Sequence, residues 1–368
     1  MCTEAKRSAL FSRASFLAAA TTAAAPIFWP ADALAWQVAL PPVPKGLSAA
    51  NEAAAKIASS SPFVSAKYFQ LLKLIESMGD AKLREDVQRL IDDPAPHYAR
   101  KYPTPESRTA LRDALAREGF VKADAPVSGV FPPHTQTGRL VQPFWSAPGS
   151  DLNSHHSYPG GLLVHELFNS TMAANFEHTY DAIYFEGGRR VNRDVVIAAA
   201  LYHDIMKTVV FQFNDDGTLL EELSIGDTGG HHCLSGAEAI ARGHDARFVT
   251  VLLSAHAAPS LGDEQKVVTW CRAAAMIAGF DPVEYGLVKK TADGYALAAL
   301  PPIETFVNNL SDHDFVITIP AVREVVSRLH AINPSLWYRH EILANKSAVA
   351  LYQTLAAQGE SAFRKALQ

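Results

Sequence analysis

Cysteine is scarce. Only three occur in 368 residues, at Cys2, Cys233 and Cys271. None stands in a C-x-x-C pair, which excludes a zinc knuckle, and two mature thiols cannot make a disulfide framework. Charge is also sparse, at 19% of residues, and the net charge of -5 leaves no basic footprint for duplex nucleic acid. A G-x-S-x-G elbow, a Walker A loop and a G-x-G-x-x-G dinucleotide loop are all missing, as is an H-E-x-x-H helix, because His165-Glu166 runs on into Leu167, Phe168 and Asn169. Internal repeats and low-complexity segments are absent from the mature chain. Hydrophobic residues, at 48%, place it among globular proteins with ample core.

What is plentiful is histidine, 14 in all, several of them clustered. The stretch V-N-R-D-V-V-I-A-A-A-L-Y-H-D-I-M-K, residues 191–207, reads as a helix buried on most sides, since residues 195–202 carry no charge. It delivers His203 and Asp204 at its end. A carboxylate emerging from such a run is costly unless paired, and a metal ion compensates both side chains better than a proton does.

The amino terminus reads as an export signal. Lys6, Arg7 and Arg13 precede an apolar stretch over residues 16–29, and Ala33-Leu34-Ala35 offers a cleavage site. The segment over residues 12–17 resembles a twin-arginine signal with Ala14 in place of the second Arg. Pro26 and Pro30 shorten the apolar run, which favours cleavage over a stable membrane anchor. The expectation is a periplasmic or secreted protein.

The organisation expected is a signal peptide (1–35), a helical amino-terminal segment (36–145), a metal-binding domain (146–285) and a helical carboxy-terminal segment (286–368). Helices are predicted near residues 68–78, 82–91, 105–118, 162–178, 191–207, 246–256, 267–279, 322–331 and 344–357, and another opens near His231. The N-D-D-G turn at residues 214–217 predicts a small hairpin of 209–213 with 219–223. The fold class is all-α with a few short strands.

His165, His203, His231 or His232, and His256 stand near the ends of four separate predicted helices, each beside apolar residues, with Asp204 added. Mixed imidazole and carboxylate ligands suit Mn, Fe, Co, Ni or Zn rather than Ca.

This order of residues resembles the HD superfamily of metal-dependent phosphohydrolases. H-H-S-Y-P-G-G-L-L-V-H, ending at His165, is similar to the first-ligand region of HD-type exoribonucleases and related bacterial HD proteins. L-Y-H-D-I-M-K resembles their H-D-I-G-K, with Met206 where Gly is usual. G-H-H-C-L-S-G resembles G-H-x-x-x-G and favours His232, because Gly236 lies four residues after it, and S-A-H matches at His256. The likeness covers residues 155–285, and it implies an all-α HD-type core with helical extensions.

It also implies that His165, His203 and Asp204 hold one ion, that His232 and His256 reach a second bridged by Asp204, and that Asp204 and Lys207 serve the reaction. The implied activity is hydrolysis of a small phosphate monoester or diester, a nucleotide among the candidates, by metal-activated water. Lys207, and Arg189 and Arg190 before the helix, are candidates to neutralise phosphate oxygens, and His155 or His156 to protonate the leaving oxygen. For Lys207 the bland alternative is a solvated cation at a helix end. The family closes its first site with an Asp on the last core helix. Ala274 or Ala275 occupies that place here, and Asp281 is the nearest carboxylate beyond. That departure gives the alternative of a degenerate HD domain, a metal- or ligand-binding sensor without turnover.

Overall fold

The computed structural model describes residues 38–133, 141–152, 154–260 and 262–368, so the segment expected to be an export signal lies outside the described residues. The longer amino-terminal helices come first: α1 (Ala49–Ser60), α2 (Pro62–Glu76), α3 (Ala81–Asp92) and α4 (Pro105–Arg117). Their starts are written locally. Ser48, Ser61, Asp80 and Thr104 each accept a backbone N–H of the first turn, and Pro62 and Pro105 occupy first-turn positions where no N–H is needed.

The helices of the central region follow. They are α5 (Gly161–Tyr184), α6 (Arg193–His203), the single turn α7 (Lys207–Val210), α8 (Gly230–Ala241), α9 (Ala246–Leu253) and α10 (Glu264–Ala278). After them come α11 (Ile303–Ser311), α12 (Phe315–Ile332), α13 (Leu336–Asn345) and α14 (Ala348–Leu367). The protein is thus mainly α-helical. Among the described residues the strands form two antiparallel pairs, β1 (Ser224–Ile225) with β2 (Thr228–Gly229) and β3 (Val288–Thr291) with β4 (Gly294–Leu297). Among the described residues, no helix is long and apolar enough to cross a membrane.

Some local expectations are corrected. The hairpin expected around residues 214–217 is reduced to one bridge between Phe213 and Leu219, because residues 207–210 remain helical. The helix expected to run to His256 stops at Leu253, so His256 sits in the turn beyond it. The single helix expected over residues 344–357 is two, α13 and α14, parted after Asn345, with Ser347 capping the second.

One hydrophobic cluster runs from Ala50 to Leu297 and takes in α1 to α10, with Leu71, Leu90, Ile197, Leu201, Leu234 and Ala274 inside it. A smaller cluster joins Tyr158 to Val325, Leu329, Leu343 and Phe363. Residues 196–203 of α6 are buried without exception. This helix packs against α3, α5, α8, α9 and α11, so its last residues point into a place reached from several sides.

Candidate metal centre

Asp204 follows the last residue of α6, and its backbone has left the helical region (φ -116, ψ 6). Its carboxylate is fully buried and collects imidazoles on both oxygens. Oδ2 lies 3.1 Å from His165 Nε2 and 3.3 Å from His203 Nε2, and it also meets the Lys207 ammonium. Oδ1 lies 3.1 Å from His231 Nε2 and 3.5 Å from His256 Nε2.

A second carboxylate faces three of the same imidazoles. Asp312, directly after α11, has Oδ1 at 3.3 Å from His165 Nε2 and 3.5 Å from His203 Nε2, and Oδ2 at 3.2 Å from His256 Nδ1. Asn169 Nδ2, one turn beyond His165 on α5, donates to Asp312 Oδ1 at 2.9 Å and ties α11 to the centre. One ligand atom from each of His165, His203 and Asp312 lies within 4.8 Å of the others, and the same holds for Asp204, His231, His232 and His256.

The sequence left open whether Asp281 or another group stands in for the carboxylate absent at Ala274 and Ala275, and it is Asp312 that faces the imidazoles. Asp281 is exposed and accepts the amides of Val283 and Glu284, a turn role. Ala274 and Ala275 are buried packing residues. A Cβ on Gly236 of α8 would already come within 2.9 Å of the Ala274 Cβ, so this crossing of α8 and α10 has no room for a longer side chain. The S-D-H-D run at residues 311–314 carries the carboxylate, but no motif or long helical periodicity around it marks Asp312 as a ligand in the sequence.

The adjacent histidines of α8 divide their contacts. His231 Nε2 faces Asp204, while its Nδ1 meets Glu222 Oε1 at 2.5 Å. His232, favoured by the motif spacing, turns its Nδ1 to Thr228 Oγ1 at 2.6 Å and stacks on His256 with ring centroids 3.6 Å apart. Both therefore border the site, and the closer approach to Asp204 belongs to His231. Lys207 is buried rather than solvated, and its Nζ donates to Gly149 O at 2.7 Å. Arg190 lines a separate charged cleft with Asp86, Arg242 and His244.

Electrostatically the centre is a cavity for positive charge. Burial would raise both carboxyls. His203 and Lys207 outweigh it at Asp204, and His256 and His203 at Asp312, so each is held well below the usual carboxylate range. Burial and the Lys207 charge press His165 down, yet hydrogen bonds to Asp204 and Asp312 prevail and hold it at about 9. His203 is likewise raised, against burial, by Asp204 and Glu166. Two buried carboxylates thus demand compensating cations, which protons or a metal ion can supply.

The donor set fits a metal ion. His203 Nε2, His231 Nε2 and Asp204 Oδ1 are buried with no hydrogen bond, although they face one another across the centre. Their outer nitrogens are engaged: His203 Nδ1 meets Ala200 O at 2.6 Å and His231 Nδ1 meets Glu222. An imidazole whose outer N–H is held in this way presents its other nitrogen as a lone pair, the usual setting of a ligating His. Glu166, unread in the sequence, is buried behind His203 with Oε2 3.7 Å from Nδ1. Burial pushes the neighbouring His155 and His156 well below the usual imidazole range, so both face the site as neutral bases.

Over 108 residues the chain is 34% identical to the dihydroneopterin 2',3'-cyclic phosphate phosphodiesterase of Methanocaldococcus jannaschii. The match takes in 29% of this chain and 41% of that protein, so this chain spans less than half the length of its relative. No family model and no solved structure matches the chain.

Proposed function

We propose that the chain is a metal-dependent phosphohydrolase of the HD type, exported to the periplasm or beyond, acting on a small phosphate monoester or diester. The observation that carries this reading is the meeting of His165, His203, His231 and His256 on two buried carboxylates, Asp204 and Asp312. His165, His203, Asp204 and Asp312 would hold one ion, and Asp204, His231 and His256, with His232 alongside, a second. When bound, such ions polarise a phosphoryl oxygen and lower the pKa of the attacking water.

The chain supplies the rest. Ala200 O and Glu222 fix the direction of the His203 and His231 rings. Lys207, anchored on Gly149 O, sets a positive charge beside Asp204 where a phosphoryl oxygen can be received. His256, with a quarter of its side chain exposed, marks the side open to substrate. The partial likeness to a cyclic-phosphate phosphodiesterase favours a diester. Of the two grounds for a non-hydrolysing sensor, the absent carboxylate and the export of such a fold, the first is weakened by Asp312 beside the imidazoles.

The test is metal analysis of the purified full chain, with hydrolysis of bis(p-nitrophenyl) phosphate and p-nitrophenyl phosphate before and after chelation. Hydrolysis that is lost with chelator and restored by Mn or Fe is the expected result. Absence of bound metal, with no hydrolysis after Mn or Fe is added, overturns the proposal.

A further inference from the structure

A second set of imidazoles meets at His165. The His155 and His156 rings lie 4.7 and 5.3 Å from the His165 ring, centroid to centroid. One nitrogen from each of the three lies within 4.8 Å of the others. The Nδ1 atoms of His155 and His156 are 3.0 Å apart. Two imidazole lone pairs cannot face each other at that distance, so a proton or a cation must lie between them. His165 Nδ1 is buried without a hydrogen-bond partner.

The loop that presents this pair is held against local preference. His156 has a left-handed backbone (φ 55), uncommon for a residue with a side chain. Its carbonyl accepts the Gly149 amide at 2.8 Å. Gly161 passes so close that a Cβ there would fall 1.9 Å from the same oxygen. From α13, buried Arg339 donates to Leu152 O and, at 2.8 Å, to Ser157 Oγ, clamping the loop on either side of the pair. Behind His156, the Asp314 carboxylate stands 3.7 Å from Nε2. A carboxylate behind an imidazole orients it and leaves the opposite nitrogen free to ligate.

We propose that His155, His156 and His165 hold an additional transition-metal cation, with His165 shared as an imidazolate, Nδ1 on this site and Nε2 on the Asp204 centre, its two ring protons being released to solvent as the ions bind. Three imidazoles, with no thiolate and no hard oxygen among them, suit Zn, Cu, Ni or Fe rather than Mg or Ca. The inference rests on the proposed function only in needing cations at the Asp204 centre, and it does not depend on hydrolysis.

The test uses the full chain, stripped with chelator and reloaded with Zn, with bound metal counted by elemental analysis and Cu-loaded samples read by electron paramagnetic resonance. His155→Ala, at a partly buried ring, and His156→Gln are each expected to bind one equivalent less than wild type, with the nitrogen hyperfine pattern of that equivalent lost. Circular dichroism and thermal unfolding of the metal-free variants check that both fold. Unchanged stoichiometry and affinity in a folded His155→Ala overturn the proposal, as does loss of all metal together. A wild type that hydrolyses nothing, but drops one equivalent in both variants, keeps this inference and removes the hydrolase reading.

Discussion

Two carboxylates meet neighbouring residues of α6, and they are treated in opposite ways. Asp86 of α3 takes the Tyr202 hydroxyl at 2.5 Å and His244 Nε2 at 2.8 Å on Oδ2, and Arg89 approaches Oδ1 at 3.5 Å. Two residues along the chain from Tyr202, Asp204 lies among more imidazoles than Asp86, yet its Oδ1 and two of the facing nitrogens make no hydrogen bond. Buried polar groups in structural networks are hydrogen-bonded, and exceptions call for an explanation. Asp86 therefore reads as a brace between α3, α6 and the start of α9, and Asp204 as a site built for something else. Net charge alone would not separate them, because both sit among cationic or protonatable partners.

The comparison can be broken most sharply at the centre itself. Asp204→Asn or Asp312→Asn is expected to weaken metal binding by more than the ~10–100-fold that loss of an outer partner costs, as metal titration would show. Metal retained at wild-type affinity in either variant would erase the distinction from Asp86. Next in size, Glu222→Gln removes the group behind His231 without touching Asp204, and a fall in metal affinity of ~10–100-fold is expected in the same titration.

The smallest effect belongs to the brace. Asp86→Asn should leave metal content unchanged and lower unfolding free energy by about 1–3 kcal/mol in denaturant titrations at neutral pH. Its pH dependence has a definite sign. Burial raises the Asp86 carboxyl, but hydrogen bonds from His244 and Tyr202 outweigh burial and hold it below its usual range. The unfolded chain therefore binds the proton more readily. The stability contributed is present above the unfolded value of about 3.9 and fades as pH falls through the folded value. The gap between wild type and Asp86→Asn should accordingly close below about pH 4. A gap that widens on acidification would contradict the assignment.

The all-α class and the meeting of His165, His203, Asp204 and His256 were legible in the sequence, because each motif places a histidine at or near a helix end beside an apolar run. The choice between His231 and His232 was not. Neighbours on a helix point about 100° apart, and which one turns inward depends on where α8 packs, here with Glu222 and Thr228 taking one ring each. Asp312 was hidden for a different reason. The position expected to carry it, Ala274 or Ala275, is committed to the tight crossing with Gly236. The carboxylate comes instead from the end of a nine-residue helix. Between a site cation and a solvated helix-end cation, Lys207 could not be decided from the sequence, because nothing local announces the Gly149 carbonyl that receives it.

The bond from Asn169 to Asp312 spans 143 residues of chain. Closing so long a loop carries an entropic cost that local helix formation does not repay, and such contacts form late. Val307 of α11 shares a buried apolar cluster with Ala173 of α5 and with Val196 and Ala200 of α6, so the helix that supplies the last carboxylate is docked by packing as well as by this bond. A change that loosened that packing would displace Asp312 without touching any imidazole of the centre.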